Sequence, residues 1–163
     1  MKLLLGAWLL LLCFTGFGLN AQEGDAGFKK STFYSTMAGT DTKAIDHQLQ
    51  LLKAAVIAEK DGFAGALLMK KAGLVQGPKN RLELFKQGHK KLEAVLQKDS
   101  SNAELRLLRL MIQEKSPGIL GYKTELGKDV LFIRNNFKKL PAAAQQAAID
   151  YNKGSKVLQL SNL

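Results

Sequence analysis

The chain has 163 residues, with 24 Lys and Arg against 14 Asp and Glu, for a formal net charge of +10. Hydrophobic residues at 46% and charged residues at 23% place it among folded globular chains and exclude a disordered one. A single cysteine excludes a disulfide framework or a multi-cysteine metal site, and two histidines exclude a His-rich one.

The first twenty residues form a separate unit. Met1-Lys2 supplies one positive charge, and Leu3 to Phe14 is almost unbroken hydrocarbon. That run is too short for a bilayer-spanning helix, which needs about 20 residues. Gly16, Gly18 and Asn20 break it, and Ala21 is a small residue suited to cleavage. The pattern predicts a signal peptide over 1–21, cut after Ala21, and a periplasmic or secreted product. An uncut N-terminal anchor is the alternative. Cleavage removes Cys13 and leaves no thiol chemistry. The processed chain is then not an integral membrane protein.

Residues 22–40 carry three glycines and no sustained period, and read as a flexible lead-in tacked down by Phe28, Phe33, Tyr34 and Met37. Residues 41–163 read as one helical domain. Asp41 caps a helix over 42–59, with Ile45, Leu49, Leu52 and Val56 on one face. Asp61-Gly62 breaks the chain before a short helix over 63–74. Pro78 then opens an amphipathic helix to Lys98, with Leu82, Phe85, Leu92 and Leu96 on its apolar stripe. Ser101-Asn102-Ala103-Glu104 has the capping-box form and starts a helix to Lys115. Ser116-Pro117-Gly118 stops it. A helix over 122–137 follows, with Leu126, Val130, Ile133 and Phe137 on one face, and Pro141 opens an alanine-rich last helix. No segment alternates with period two. The expected class is therefore all-α, an array of about five to six antiparallel helices arranged as helical hairpins, TPR-like or bundle.

On the helix over 78–98 and the turn after it, Gly88, Leu92, Val95 and Ser100 resemble the positions where the tetratricopeptide repeat places its small residue, aromatic, second small residue and terminal proline. Two of these four residue types depart from the repeat, and no period of about 34 residues recurs. The segments FAGALLMKKA (63–72), FKQGHKKLEAVL (85–96), NAELRLLRLMIQ (102–113) and SPGILGYKTELGKD (116–129) are similar to a family of short secreted bacterial all-helical proteins of unassigned function. That resemblance implies the all-helical class and carries no activity.

The helix over 102–115 is apolar around most of its circumference. Arg106, Arg109 and Gln113 make its narrow polar strip, a pattern expected of a central helix. Asp129 projects from the apolar face of the next helix and needs a partner, because a lone buried carboxylate is costly. Arg106 or Arg109 is the expected partner, since a guanidinium holds a carboxylate with two bonds. Such a pair either fixes helix register or leaves an arginine groove for an anionic ligand. His89, between Phe85 and Leu92, reads as a core-edge residue, and His47 sits at the edge of its helix stripe. Neither is expected to hold a metal.

No Gly-x-Ser-x-Gly elbow, phosphate loop or GxGxxG is present, and no carboxylate pair is favoured, so no enzyme, cofactor or metal is expected. Lys79, Lys86, Lys90 and Lys91 form a basic surface without the aromatics of a single-strand binder, so specific nucleic-acid binding is not expected. The function expected is a non-catalytic protein-interaction module. The alternative is a basic protein attached to a polyanion or an acidic envelope surface.

Overall fold

The computed structural model describes residues 27–160. The expected leader, the cut after Ala21 and Cys13 lie outside the described residues. Seven α-helices make up the described chain: α1 (Lys30–Ala38), α2 (Thr42–Ala54), α3 (Lys60–Ala72), α4 (Pro78–Lys98), α5 (Ala103–Lys115), α6 (Leu126–Asn136) and α7 (Ala142–Asn152). Short 3-10 turns at Gly118–Leu120 and Phe137–Lys139 bracket α6. No strand occurs among the described residues. The all-α class read from the sequence is therefore the observed one, with one helix more than the upper count expected.

The additional helix is α1, in the segment read as a flexible lead-in. Phe33, Tyr34 and Met37 lie on one face of it and are buried. The three glycines nearby obscure a short stripe that nine residues suffice to make. Phe28, Phe33 and Phe63 stack edge to face, with the Phe33 and Phe63 ring centres 4.9 Å apart. That cluster ties α1 to α3.

Several helix boundaries also differ from expectation: α6 starts at Leu126 and not at 122, and α3 covers Lys60–Ala72 and not 63–74. α2 is capped by the Asp41 carboxylate, which accepts from the Lys43 N–H at 2.8 Å. It ends at Ala54, five residues early, because Ala55 turns extended and enters the core. Val56 then points to solvent at 84% exposure instead of joining the stripe. Asp61-Gly62 is no break: Gly62 sits inside α3, where a Cβ would lie 2.8 Å from Leu105 of α5. The N-cap of α5 is Asn102, whose Oδ1 accepts from Leu105 N–H at 3.0 Å, and Ser101 bonds Asp99 instead. Glu104 does not reach back to the cap, because Lys30 and Tyr34 of α1 hold it.

The tightest helix pair is α3 and α4, and its cause is glycine. A Cβ on Gly65 would stand 2.6 Å from the Gly88 carbonyl oxygen, and one on Gly88 would stand 2.5 Å from that of Gly65. The two backbones touch, leaving no room for a methyl. Leu92 and Leu96 then bury beside Phe63 and Leu67. α3 also packs on α2 and α5, α5 on α6 and α7, and α1 on both α2 and α7. Because the first helix packs against the last, the array closes on itself as a bundle and does not extend as an open stack.

After α7 the chain runs without regular structure across the bundle. Arg134 of α6 donates from Nε to Leu158 O at 2.7 Å and from Nη2 to Val157 O at 3.0 Å. Leu158 is fully buried.

Candidate functional site

The polar strip of α5 meets α4 and α6 in a buried network. Leu105, Leu107, Leu108, Leu110, Met111 and Ile112 are all buried, so α5 is surrounded and its one polar strip must find partners inside the protein. Asp129 of α6 is fully buried. Its Oδ2 accepts from Arg109 Nε at 2.6 Å and its Oδ1 from Arg109 Nη2 at 2.9 Å. This is the two-bond fork that a guanidinium and a carboxylate form best. The remaining Arg109 nitrogen, Nη1, donates to Glu93 Oε2 of α4 at 2.9 Å. Glu93 Oε1 accepts in turn from the Tyr122 hydroxyl at 2.6 Å. Arg106 stands at the rim, with Nη1 3.5 Å from Asp129 Oδ1. Its Nε donates to Ser100 O at 2.7 Å, and its plane covers the Phe132 ring at 4.1 Å.

Two guanidiniums face two carboxylates, so the network is balanced in charge. Burial works against the charge of Arg109, but the bonds and charges of Asp129 and Glu93 outweigh it and raise the Arg109 pKa above its ordinary value. Burial raises the Tyr122 pKa, and the Glu93 carboxylate beside it raises it further. Both groups are thereby fixed in their resting protonation states.

Of the residues singled out from the sequence, the structure brings together Arg106, Arg109 and Asp129. It leaves Gln113 outside: that side chain is buried, its Oε1 without a partner among the described residues. Glu93 and the hydroxyl of Tyr122 are members that sequence reasoning did not place. Glu93 lies one helical turn beyond His89 on the edge of the apolar stripe of α4, which was the available signal.

Two further carboxylates act in the same way. Glu104 accepts from Lys30 Nζ at 2.6 Å and Tyr34 Oη at 3.0 Å, joining α5 to α1. Glu114 accepts from Tyr151 Oη at 2.6 Å, Ser155 Oγ at 2.7 Å and the Lys156 N–H at 2.7 Å, joining α5 to the C-terminal segment. Burial opposes the Glu114 charge, but these donors prevail and hold its pKa below the ordinary range. All three tyrosines of the chain thus donate to a glutamate.

His89 lies between Phe85 and Tyr122, with its ring centre 6.2 Å from the former and 4.7 Å from the latter. His47 is exposed on α2. Among the described residues no group of three or more His, Cys, Asp or Glu side chains is placed to hold a metal ion. Nor is any described helix long and apolar enough to cross a membrane.

The basic surface divides in two. Lys79, Lys86 and Lys90 lie on one exposed line of α4, with no carboxylate partner among the described residues. Lys91 points elsewhere and pairs with Asp61 of α3 at 2.6 Å, so it does not belong to that line. On another side of α4 an open depression of about 340 Å³ is lined by Lys71, Val75, Asn80, Glu83, Leu84 and Gln87. Comparison with protein-family models, with curated proteins and with solved structures finds no match for this chain.

Proposed function

We propose that this protein is an exported, non-catalytic interaction module that receives a protein segment in the depression between the end of α3 and the first half of α4. The observation that carries this reading is the lining of that depression. Asn80 and Gln87 stand two helical turns apart on one line of α4, with Val75 and Leu84 beside them. Carboxamides offer both a donor and an acceptor, the pair that an extended peptide backbone requires. The buried ionic groups support a structural role, since their donors and acceptors serve one another. The close pairing of α3 with α4 through Gly65 and Gly88 gives the depression a rigid wall.

The test is capture from the native envelope fraction by the parent protein and by the double variant Asn80→Ala, Gln87→Ala. Both side chains are exposed, so the fold is expected to persist. A partner retained in high salt by the parent and lost by the variant supports the reading. Equal capture by both removes it.

A second reading, attachment to an acidic surface, is favoured by the line of Lys79, Lys86 and Lys90. Salt-sensitive retention on an anionic matrix tests it.

A further inference from the structure

The exposed apolar residues next to this lysine line give the acidic surface an identity. Residues 78–87, the first half of α4, include no fully buried side chain: Leu84 and Phe85 are half-buried, and the rest are exposed. Leu82 lies on that half at 43% exposure. The Phe85 ring, three residues on, stands 5.5 Å from Tyr122. This contact sets the turn Pro117–Gly121 beside the same helix. At the tip of that turn Ile119 is 95% exposed.

The turn is held firmly from beneath, because the Tyr122 hydroxyl is bonded to Glu93. No acidic residue occurs from Lys115 to Thr124, while at its ends Lys115 lies over the Tyr151 ring at 5.7 Å and Lys123 donates to Glu114 O at 3.5 Å. On α4, Glu83 is the acid flanking the lysine line, and it accepts from Gln87 Nε2 at 3.3 Å. A projecting isoleucine and a leucine beside the line of Lys79, Lys86 and Lys90 are the elements of interfacial membrane attachment. The apolar tips enter the head-group boundary, and the ammonium groups meet lipid phosphates.

We infer that Ile119 and Leu82, beside Lys79, Lys86 and Lys90, form a docking face for an anionic bilayer surface. The inference rests on the acidic-surface reading and commits it to lipid. Charge complementarity selects this occupant. An apolar groove for a protein helix would need a continuous stripe, whereas these apolar side chains protrude singly from a positive field.

The test uses the protein carrying Trp8→Phe and Ile119→Trp, so that the probe is its only tryptophan whether or not the leader is present. A companion with Trp8→Phe and Ile149→Trp places the probe on α7. Circular dichroism first verifies that both are folded. With phosphatidylglycerol vesicles, the position-119 emission shifts to the blue and is quenched by brominated acyl chains, while the position-149 probe does not respond. Phosphatidylcholine vesicles give no shift. Lys79→Gln, Lys86→Gln and Lys90→Gln together weaken partitioning by about 100-fold, at about fivefold per lysine near a charged surface. Unchanged emission with phosphatidylglycerol, together with salt-sensitive retention on an anionic matrix, overturns the lipid assignment and leaves the acidic-surface reading standing. Loss of both overturns the two together. A shift produced by an acidic protein and not by vesicles also overturns the assignment.

Discussion

Asp129→Asn isolates the charge at the centre of the buried network while keeping the size of the side chain. In the parent, Asp129 receives both arms of the Arg109 fork, at 2.6 and 2.9 Å, and the side chains are 0% and 8% exposed. Removing one member of such a pair costs about 3–5 kcal/mol, because the remaining charge stays desolvated. Two features of this site favour the lower end. Glu93 still neutralises Arg109 through Nη1. The asparagine oxygen also retains one acceptor position. The expected loss is therefore about 3 kcal/mol, or about 6–12 °C in Tm for a chain of this size. Urea unfolding followed by circular dichroism gives the free energy, and a double-mutant cycle with Arg109→Met gives the coupling. The exposed pair Asp61–Lys91 is the control: Asp61→Asn should change stability by no more than about 0.5 kcal/mol. If Asp129→Asn lowers stability by less than about 1 kcal/mol, within the range of an exposed pair, the buried network does not hold these helices together.

Four further outcomes follow from the packing and the titrations. Gly65→Ala places a methyl against the Gly88 carbonyl and the Leu92 N–H, neither of which is a flexible side chain, and should cost about 3 kcal/mol. Gly127→Ala on α6 meets nothing within 4 Å and should add about 0.5 kcal/mol, so the two alanines should move the urea midpoint in opposite directions. Burial and a glutamate raise the pKa of all three tyrosines, so their contribution is intact below the ordinary phenol value near ~10 and is lost as pH climbs through the raised native values. Phenolate absorbance should therefore appear only with alkaline unfolding, and a native-state titration with an ordinary midpoint contradicts the Tyr–Glu pins. Glu114 has a lowered pKa, so its hold on residues 155–160 persists above the ordinary glutamate value and fails as pH falls through the depressed one; hydrogen exchange in that segment should rise there before α5 is affected.

What the sequence disclosed follows from what periodicity encodes. The helix over Pro78–Lys98 is found with its expected ends, because a proline at its first turn and a polar turn after it mark both boundaries. The largely apolar circumference of α5 disclosed its central position, and Asp129 on an apolar face disclosed the need for a cation. α1 was hidden because nine residues with three buried side chains resemble a loop with occasional apolar residues. Gly62 looked like a helix stop because sequence does not distinguish a glycine that breaks a helix from one that makes room for Leu105. Glu93 escaped because its partners, Arg109 and Tyr122, lie 16 and 29 residues away on other elements. The lysine line was legible as charge. Its separation from Lys91 was not, because the Asp61 partner of Lys91 sits 30 residues earlier.

On this reading the buried polar groups build the bundle and the surface does the binding. Replacing the network with apolar side chains of similar size tests it most directly: Glu93→Met, Arg109→Met, Tyr122→Phe and Asp129→Leu in one chain. Exchange of a whole buried ionic group for well-packed apolar residues is often neutral or stabilising, unlike removal of a single member. A cooperative melt within a few degrees of the parent is expected, with partner capture unchanged. A variant that melts cooperatively but no longer binds would show that the network itself is the binding site.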